Sequence, residues 1–531
     1  MPEHLGDYQT PPALVDEVLK VLGPIGDRWD RVLEPTCGHG AFIEGLLRCM
    51  KPPREIVGVE LQSGLVARAA RAYSGTRGVS VHLHRGSAYE VDFRNDIVWK
   101  RSGPLLVIGN PPWVTNSRLG ALRSDNVPRK TNFKRMRGID ALTGAANFDV
   151  AEFVIIKIMS ELVEREPAFC MLCKTTVARN VLQHAANVGL PFANAWMRRI
   201  DARRWFGASV DACLFFFEMG RGLTSYEMQV FTSLEAKSPE SVVGVRNSHL
   251  VADLTSYERT SFAEGHCQAV WRQGVKHDVA KTVELTRDST GSLYNGYGER
   301  VEVEGDRLFP LVKGSDLFNN KDPLKTSRWL IVTQKELGED TNHLRNTSPA
   351  LWQYLKEHSG DFQLRKSSIY KGRSPYAMFG IGSYTFSPFK VAVSGLHKRP
   401  VFRTLGPIEG RPVVLDDTCY FIPSYMADEA GLIAALLNSS LCKDFIQSVC
   451  FWDSKRPLTK RLLQRIDLKA IASRLDLPEL AIQVEQLVES MGRALKEGSK
   501  LGGLREIGEV LARLDHLNVR DKEPSYQNSL F

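Results

Sequence analysis

The sequence predicts an α/β protein that begins with a doubly wound parallel sheet and continues into a mixed, β-rich region with a helical tail. Through about residue 220, short apolar runs alternate with segments of helical periodicity, which is typical of βα units. From about residue 246, aromatic, glycine and basic residues are interleaved in short runs that favour strands and turns. A chain of 531 residues has room for roughly two to four domains, so we expect more than one core.

The composition is that of a globular protein with a basic surplus. Apolar residues make up 43% of the chain and charged residues 24%, and the formal net charge is +8. We find neither an apolar run long enough to span a bilayer nor a secretory signal, so we expect no membrane association. The nine cysteines are scattered through apolar runs, which favours a reducing, cytoplasmic location. Cys170 and Cys173 form a C-x-x-C without a second pair or a nearby histidine, so we interpret them as core residues and expect no metal site.

The first elements surround a glycine-containing turn. A helix is predicted after Thr10, which is a suitable N-cap followed by two prolines. The first strand, 31–33, runs into Glu34-Pro35-Thr36-Cys37-Gly38-His39-Gly40, and the apolar pattern from Ala41 predicts a helix directly after it. A strand, a glycine turn and a helix N-terminus together are typical of a nucleotide-type pocket, because glycines let a ligand approach the backbone.

The acid at the start of this turn indicates the charge of the ligand. Glu34 would repel a pyrophosphate and attract a cation, and the third glycine of the dinucleotide fingerprint is absent. S-adenosylmethionine carries an ammonium and a sulfonium group, so it fits such a pocket. The second strand, 55–59, ends in Glu60, where related pockets hold a ribose diol, although a surface acid heading the next helix is the alternative. A third strand, 79–83, leads to Ser87.

The fourth strand ends in the stretch whose residue types most directly indicate a catalytic role. The apolar run 104–107 is followed by Ile108-Gly109 and then by Asn110-Pro111-Pro112-Trp113. Prolines remove backbone donors, so the Asn110 side-chain oxygen and the Pro111 carbonyl are left as acceptors. Two acceptors suit an exocyclic amino group, and Trp113 offers a flat face to a planar ring. The stretch is therefore predicted to hold an amino group on a stacked heterocycle; a proline-rich turn with a surface tryptophan is the alternative.

As an ordered set, four motifs in residues 6–220 resemble those of the gamma-class N6-adenine DNA methyltransferases of restriction-modification systems. They are Tyr8-Gln9-Thr10-Pro11, Leu33-Glu34-Pro35-Thr36-Cys37-Gly38-His39-Gly40, Gly58-Val59-Glu60 and Asn110-Pro111-Pro112-Trp113. The resemblance implies a Rossmann-like class I methyltransferase sheet with helices on both faces, S-adenosylmethionine as cofactor, and a C-terminal target-recognition region. It also implies methyl transfer to N6 of an adenine flipped out of duplex DNA, with the catalytic residues Asn110, Pro111, Pro112 and Trp113.

The same resemblance implies which residues contact the cofactor and the target base. Cofactor contacts are expected from Tyr8, Thr10, Pro11, Glu34, Pro35, Cys37, Gly38, Gly40, Glu60, Leu61, Ser87, Ala88 and Asn110. The departure from the family is Ser87, since an aspartate usually holds the cofactor adenine at that position. An aromatic residue ahead of the last strand is expected to stack on the target base together with Trp113. Trp205 and Phe206 are both candidates, and their spacing does not choose between them.

The remaining segments give the domain organisation. An apolar helix is predicted after Asn147-Phe148-Asp149, and strands are predicted at 168–173 and 212–217. We assign residues 1–225 to the methyltransferase domain and interpret 221–245 as a linker. Residues 246–465 are expected to form the target-recognition, DNA-binding domain, and 466–520 a helical segment. Apolar residues repeat on one helical face from Leu477 to about Leu517, which fits packing on the recognition domain or on a partner chain.

Basic residues cluster just beyond the predicted catalytic stretch and again late in the chain. Such charges contact phosphates in nucleic-acid-binding proteins, although a solvated face is the alternative. We therefore expect double-stranded DNA as the partner, with a separate restriction endonuclease or defence-system subunit as a further candidate. DNA contacts are expected from Arg118, Arg123, Arg129, Lys130, Lys134, Arg135, Lys371, Arg373, Lys390, Lys455 and Arg456.

Three other functions remain open at this level. Loops of the Asn-Pro-Pro-aromatic type also serve methylation of RNA bases or of a protein glutamine amide, and the long basic and aromatic C-terminal half favours a polyanion over a small protein. A bifunctional methyltransferase-endonuclease is less favoured, because the cofactor motifs begin near residue 8 and we recognise no acid-acid-lysine nuclease set. A DNA-recognition subunit with an inactive site is disfavoured by the intact acceptor tetrapeptide and cofactor acids.

Overall fold

The chain forms two compact units. The computed structural model describes residues 8–73, 75–76, 78–114, 149–220, 224–319, 326–491, 508–510 and 512. The first unit extends through Thr255, and the second begins at Ser256. The predicted basic cluster between Arg118 and Arg135 lies outside the described residues.

A ten-stranded sheet forms the centre of the first unit within the described part of the chain. Its strand order is β10-β9-β8-β6-β7-β5-β4-β1-β2-β3. The strands are β1 (Arg31–Glu34), β2 (Glu55–Glu60), β3 (Ser80–Arg85), β4 (Leu105–Gly109), β5 (Ala168–Lys174), β6 (Ala193–Ile200), β7 (Ala212–Glu218), β8 (Glu227–Phe231), β9 (Ser241–Arg246) and β10 (His249–Val251).

The directions of these strands bring the sequence motifs to one edge. β1 to β5 are parallel, and β1 lies between β2 and β4, so the strand order reverses at β1 and β4. β7 runs antiparallel to both β5 and β6, so β6 points the same way as β4. Ligands of open α/β sheets bind beyond the carboxyl ends of the strands at such a reversal. Glu34, Glu60 and Asn110 are all at these ends.

Helices cover the strands of the first unit. They are α1 (Pro12–Leu22), α2 (Ile25–Arg28), α3 (Ala41–Arg48), α4 (Ser63–Tyr73), α5 (Val150–Leu162), α6 (Thr175–Val188) and α7 (Ala202–Phe206), with α8 (Leu254–Thr260) at the boundary of the two units. Apolar side chains of α1 and α3 form one core with alternate residues of β1, β4 and β5. The intervening residues of these strands are buried as well, and α6 packs on β5, β6 and β7. The predicted doubly wound α/β fold is thus confirmed.

Three details of this unit differ from the sequence analysis. The predicted linker is wrong, because β8, β9 and β10 extend the sheet and the unit continues to Thr255. Strand β6 was not predicted, although Ala193, Ala195 and Met197 alternate with more exposed residues in the pattern of a half-buried strand. Thr10 is not the N-cap of α1; Pro11 occupies that position, and the Thr10 side chain makes no cap.

The second unit contains two smaller sheets. One has the order β11-β19-β16-β17, and the other β13-β12-β15-β14-β18. All neighbouring strands in them are antiparallel except β14 and β18. The strands are β11 (Arg272–Gln273), β12 (Glu284–Arg287), β13 (Leu293–Tyr294), β14 (Leu308–Val312), β15 (Arg328–Ile331), β16 (Phe389–Ser394), β17 (Arg403–Leu405), β18 (Val414–Leu415) and β19 (Cys419–Ser424).

Helices complete the second unit and include the start of the predicted tail. They are α9 (Ala280–Val283), α10 (Gly314–Phe318), α11 (Leu344–Thr347), α12 (Pro349–Glu357), α13 (Ser359–Gln363), α14 (Ala427–Asn438), α15 (Ser440–Val449), α16 (Lys460–Leu463), α17 (Leu468–Ala472) and α18 (Leu477–Ser490). Helix α18 packs on α14, where a Cβ added to Gly431 would lie 3.1 Å from Val488. The described part of the tail therefore packs on the predicted recognition region of its own chain.

Candidate functional site

A pocket opens at the carboxyl ends of β1, β2 and β4 in the first unit. Its volume is about 1070 Å³, a figure that includes space open to solvent. Most residues predicted to contact a cofactor line it: Tyr8, Thr10, Glu34, Pro35, Cys37, Gly38, Glu60, Leu61, Ser87, Ala88 and Asn110. The predicted catalytic residue Pro112 lines it as well, whereas Pro11 and Gly40 are not among the lining residues.

Glu34 is a buried carboxyl group at the end of β1. Its side chain is almost inaccessible to solvent, and burial raises its pKa well above the usual range of a glutamate. A hydrogen bond from the Ile43 backbone opposes this shift, and the negative charge of Glu60 adds to it. Oε2 of Glu34 and Oγ1 of Thr36 have no hydrogen-bond partner among the described residues. The floor of the pocket thus presents acceptors, and a cation would bind there more favourably than an anion.

The glycine turn after Glu34 is held to β2 by its backbone. The Gly38 N–H donates to Glu60 Oε2 at 3.0 Å, and the Cys37 N–H donates to the Val59 carbonyl at 2.9 Å. Gly38 and Gly40 have φ of +52° and +85°, a conformation that glycine adopts readily. A Cβ on Gly38 would lie 2.9 Å from Gln9 Oε1, so a side chain at this position would require the Gln9 amide to move.

The wall formed after β3 contains Ser87 and Tyr89. Ser87 is buried, and its Oγ accepts the Tyr89 N–H at 3.3 Å. The Tyr89 ring packs edge-on against Phe153, with ring centroids 6.1 Å apart, and burial raises its pKa. Ser87 and Tyr89 therefore both line the pocket, and Tyr89 adds an aromatic surface to its wall.

Asn110 is held by the chain segment that precedes α1. Its Nδ2 donates to the Tyr8 carbonyl at 2.9 Å and to Thr10 Oγ1 at 3.3 Å. Its Oδ1 is shielded from solvent and has no hydrogen-bond partner among the described residues. The side chain is therefore fixed by its amino end, and its acceptor oxygen is left unsatisfied at the pocket wall.

Trp113 is buried in an aromatic cluster rather than presented on the surface. Its side chain is 5% exposed, and its Nε1 donates to the Leu172 carbonyl at 3.2 Å. We define the aromatic cluster as Tyr8, Trp113 and Phe206: the Trp113 ring centroid lies 5.7 Å from that of Tyr8 and 4.9 Å from that of Phe206. Trp205, by contrast, packs under the guanidinium of Arg204. Of the two candidates in α7, Phe206 is the one in contact with Trp113.

The predicted DNA-contacting residues of the second unit differ in exposure. Lys371 and Arg373 are exposed on either side of Gly372, and Lys455 is exposed on a later loop. Arg456 is half-buried, with its guanidinium 4.0 Å from the Asp417 carboxylate. Lys390 must be withdrawn as a phosphate contact, because it lies on β16 with its side chain 1% exposed and its Nζ donating to the Ser387 carbonyl at 2.6 Å. Burial lowers the pKa of Lys390 to about 7.

Several pocket residues were missed by the sequence analysis. Gln9, Thr36 and Tyr89 line the pocket, each beside a residue that was predicted. Their positions within the quoted motifs were the available signal. Within the described ranges, no cluster of three histidine, cysteine or acidic side chains has the arrangement of a metal site. No helix in the same ranges is both long and apolar enough to cross a bilayer.

Comparison with known proteins identifies a relative in sequence and neighbours in structure. The chain is 37% identical over 468 residues to Type II methyltransferase M.NspV of Nostoc sp., an alignment that covers 88% of this chain and 97% of that protein. The fold is similar to that of the Type IIL restriction-modification enzyme MmeI, solved in complex with DNA, with a TM-score of 0.53 and 12% identity. This likeness covers 97% of the present chain and 74% of MmeI. No family model matches the sequence.

Proposed function

The chain belongs to the type II DNA methyltransferases of restriction-modification systems, and we propose from this premise that it methylates N6 of adenine in duplex DNA with S-adenosylmethionine as methyl donor. The observation that carries the proposal is Asn110 Oδ1, a buried acceptor without a partner among the described residues. Leaving a buried carbonyl oxygen unsatisfied costs about 1–3 kcal/mol. An amino group arriving from a substrate would remove that cost, and adenine carries such a group at N6.

The residues of the pocket fit S-adenosylmethionine. Glu34 Oε2 and Thr36 Oγ1 have no hydrogen-bond partner among the described residues, and the ligand's ammonium and sulfonium groups would stabilise the ionised form of Glu34. Glu60 accepts the N–H groups of Gly38 and Gln62, which leaves further lone pairs for a ribose diol. Ser87 and Tyr89 would lie beside the adenine ring of the cofactor. When bound, this cofactor supplies an electrophilic methyl group; the protein supplies orientation and a water-poor surrounding.

Asn110 and Pro111 would activate the target amino group. The lone pair of the adenine N6 atom is delocalised into the ring, so this nitrogen is a weak nucleophile. If Asn110 Oδ1 and the Pro111 carbonyl each accept one of its hydrogens, the nitrogen is drawn toward tetrahedral geometry and the lone pair is localised. The two acceptors stabilise the charge that develops on nitrogen during transfer, so they favour the transition state over the ground state.

The target base would reach Asn110 by leaving the DNA stack and entering the aromatic cluster. Extrusion costs roughly a few kcal/mol, and stacking on an aromatic side chain returns ~1–3 kcal/mol per contact. Phe206 is the partner we propose for stacking, because it contacts Trp113 and Tyr8. With 4.9 Å between the centroids of Trp113 and Phe206, a base of ~3.4 Å thickness does not fit between them, so these rings must separate on binding.

The second unit would supply DNA contacts through the exposed cations Lys371, Arg373 and Lys455, and through Arg456. The first three form no ion pair with any of the described residues, and phosphate binding would neutralise them. This assignment takes the first unit, through Thr255, as the catalytic part, and it moves the start of the predicted recognition part from residue 246 to Ser256, where the second unit begins.

The central experiment removes the acceptor of Asn110. The Asn110→Ala variant is expected to lose methyl transfer by at least ~100-fold, because a preorganised hydrogen bond to the reacting atom contributes about 2.7–4 kcal/mol. Binding of S-adenosylmethionine, measured by calorimetry, should change by less than threefold. Tritium transfer from labelled cofactor to duplex DNA provides the rate. Near-normal activity in this variant would refute the assignment of Asn110.

The modified base and the polymer are tested on the wild-type protein. After reaction with duplex DNA, nucleoside digestion and mass spectrometry should identify N6-methyladenine. Equal or better transfer to RNA would favour the RNA methyltransferase instead. A magnesium-dependent cleavage assay with the same DNA addresses the bifunctional alternative, and absence of cleavage would leave a separate endonuclease as the candidate partner.

A further inference from the structure

The orientation of the Asn110 amide is decided by an acceptor on another part of the chain. The Tyr8 carbonyl can only accept a hydrogen bond, and it lies 2.9 Å from Asn110 Nδ2, from which it is separated by 102 residues in sequence. If the amide were rotated by 180°, Oδ1 would face this carbonyl and the two oxygens would repel each other. The amino end therefore points to Tyr8, and the carbonyl end is left for a ligand.

We propose that residues 8–10 act as a positioning segment for the methyl-transfer reaction, in that the Tyr8 carbonyl and the Thr10 hydroxyl fix the Asn110 amide with its oxygen available to the target amino group. This inference rests on the proposed function of Asn110, and it assigns to Thr10 a role beyond cofactor contact. The Thr10 hydroxyl lies 3.3 Å from Asn110 Nδ2 and makes no cap on α1, so its hydrogen-bonding capacity serves the asparagine instead of the helix.

The same three residues also connect the acceptor to the cofactor pocket. Gln9 Oε1 lies 2.8 Å from His39 Nδ1 within the glycine turn, and it closes the space over Gly38. The Tyr8 ring packs on Trp113 and Phe206. Because successive residues touch the glycine turn, the aromatic cluster and Asn110, the segment holds the methyl-donor pocket and the amino-group acceptor in one fixed geometry.

The positioning role also explains why the acceptor residue is an asparagine. An aspartate at position 110 would keep an oxygen for the substrate, but its second oxygen would meet the Tyr8 carbonyl at hydrogen-bond distance without a proton between them. A protonated aspartate could donate to Tyr8, but only at low pH. Asn110→Asp should therefore fail at neutral pH, although it retains an acceptor.

The test compares Thr10→Val with Thr10→Ser under single-turnover conditions at saturating cofactor and DNA. We expect Thr10→Val to lower the methyl-transfer rate about 5- to 20-fold, as loss of one positioning hydrogen bond predicts. Thr10→Ser, which retains the hydroxyl, should restore the rate to within twofold of wild type. Thr76→Val is the matched control, since the Thr76 hydroxyl donates to the Tyr73 carbonyl and Thr76 is not part of the pocket lining.

Each outcome supports or overturns the inference. A defect in the rate of Thr10→Val that persists at saturating cofactor, and that serine rescues, supports it. An unchanged rate in Thr10→Val, a defect confined to cofactor affinity, or an active Asn110→Asp variant at neutral pH would each overturn it. If the wild-type protein itself transfers no methyl group to adenine, the proposed function fails; normal transfer with an indifferent Thr10 refutes only the positioning segment.

Discussion

Binding of the methyl donor should release a proton from Glu34. In the free protein, burial raises the pKa of this carboxyl group, so it holds a proton at a pH where an exposed glutamate is ionised. A cationic ligand stabilises the ionised form and must displace that proton. Affinity should therefore increase as pH rises toward the raised pKa and level off above it, by up to tenfold per pH unit.

The Glu34→Gln variant isolates this effect. A hydrogen bond to a charged group contributes about 1.5–3 kcal/mol, so loss of the carboxylate should weaken S-adenosylmethionine binding about 10- to 150-fold. The variant should also lose the pH dependence. Calorimetry in two buffers of different ionisation enthalpy measures both quantities: the observed enthalpy should depend on the buffer for the wild type and not for Glu34→Gln. Glu164→Gln, at an acid whose side chain is 70% exposed, is the matched control.

The sign of the stability effect provides an independent check. Because the folded pKa of Glu34 is raised, its contribution to stability is fully present below the pKa of the unfolded chain and is lost as pH rises toward the folded pKa. The cofactor-free wild type should therefore lose thermal stability relative to Glu34→Gln as pH rises through this window. Cofactor affinity that is independent of pH, with no proton released, would refute the assignment of Glu34 as the carboxylate facing the cationic ligand.

Two further predictions concern DNA. Phe206→Ala should lower kcat/KM for DNA about 5- to 150-fold through lost stacking, whereas Trp205→Ala should change kcat/KM by less than threefold. The fluorescence of 2-aminopurine substituted at the target base reports the stacking. A larger effect of Trp205→Ala than of Phe206→Ala would contradict our choice of Phe206. Lys371→Ala should weaken DNA binding and reduce the slope of log affinity against log salt by about one, whereas Lys390→Met should leave that slope unchanged because the ammonium is buried. Fluorescence anisotropy at several salt concentrations measures both.

The fold of the first unit was largely predictable, because its functional side chains come directly after its strands in the sequence. The acid of Glu34, the acid of Glu60 and the amide of Asn110 each come directly after an apolar run, and parallel strands bring their carboxyl ends to one edge. The extension of the sheet was not predictable in the same way. Strands β8 to β10 are short and only partly buried, so their apolar pattern is weak. β8 pairs with β6, which lies next to it only in the folded chain, and β9 and β10 are added in turn beyond β8.

The candidate site was predictable in composition but not in arrangement. Trp113 was expected to offer a flat face, but its indole bonds to Leu172 and its ring packs on Phe206. Lys390 was expected at a DNA surface, but all six residues of β16 are buried, and Lys390 is among them. In both cases the residue type suited the predicted role, but burial against a distant segment decided how the side chain is presented. For Lys390 this excludes the predicted role, whereas base stacking on Trp113 stays a prediction.

The sequence by itself determined which functional groups exist and in which order the strands deliver them: a carboxylate before a glycine turn, a second acid, and an asparagine followed by prolines. The identity and order of these groups can be read from the sequence, because each group lies at the end of its own strand. Only the tertiary structure decided that the Asn110 amide is fixed by its amino end, which leaves Oδ1 without a partner among the described residues. It also decided that Phe206 rather than Trp205 contacts Trp113, and that the sheet continues to residue 251. Those features depend on contacts between segments far apart in the chain. The sequence pattern of one segment does not indicate which distant segment it will contact.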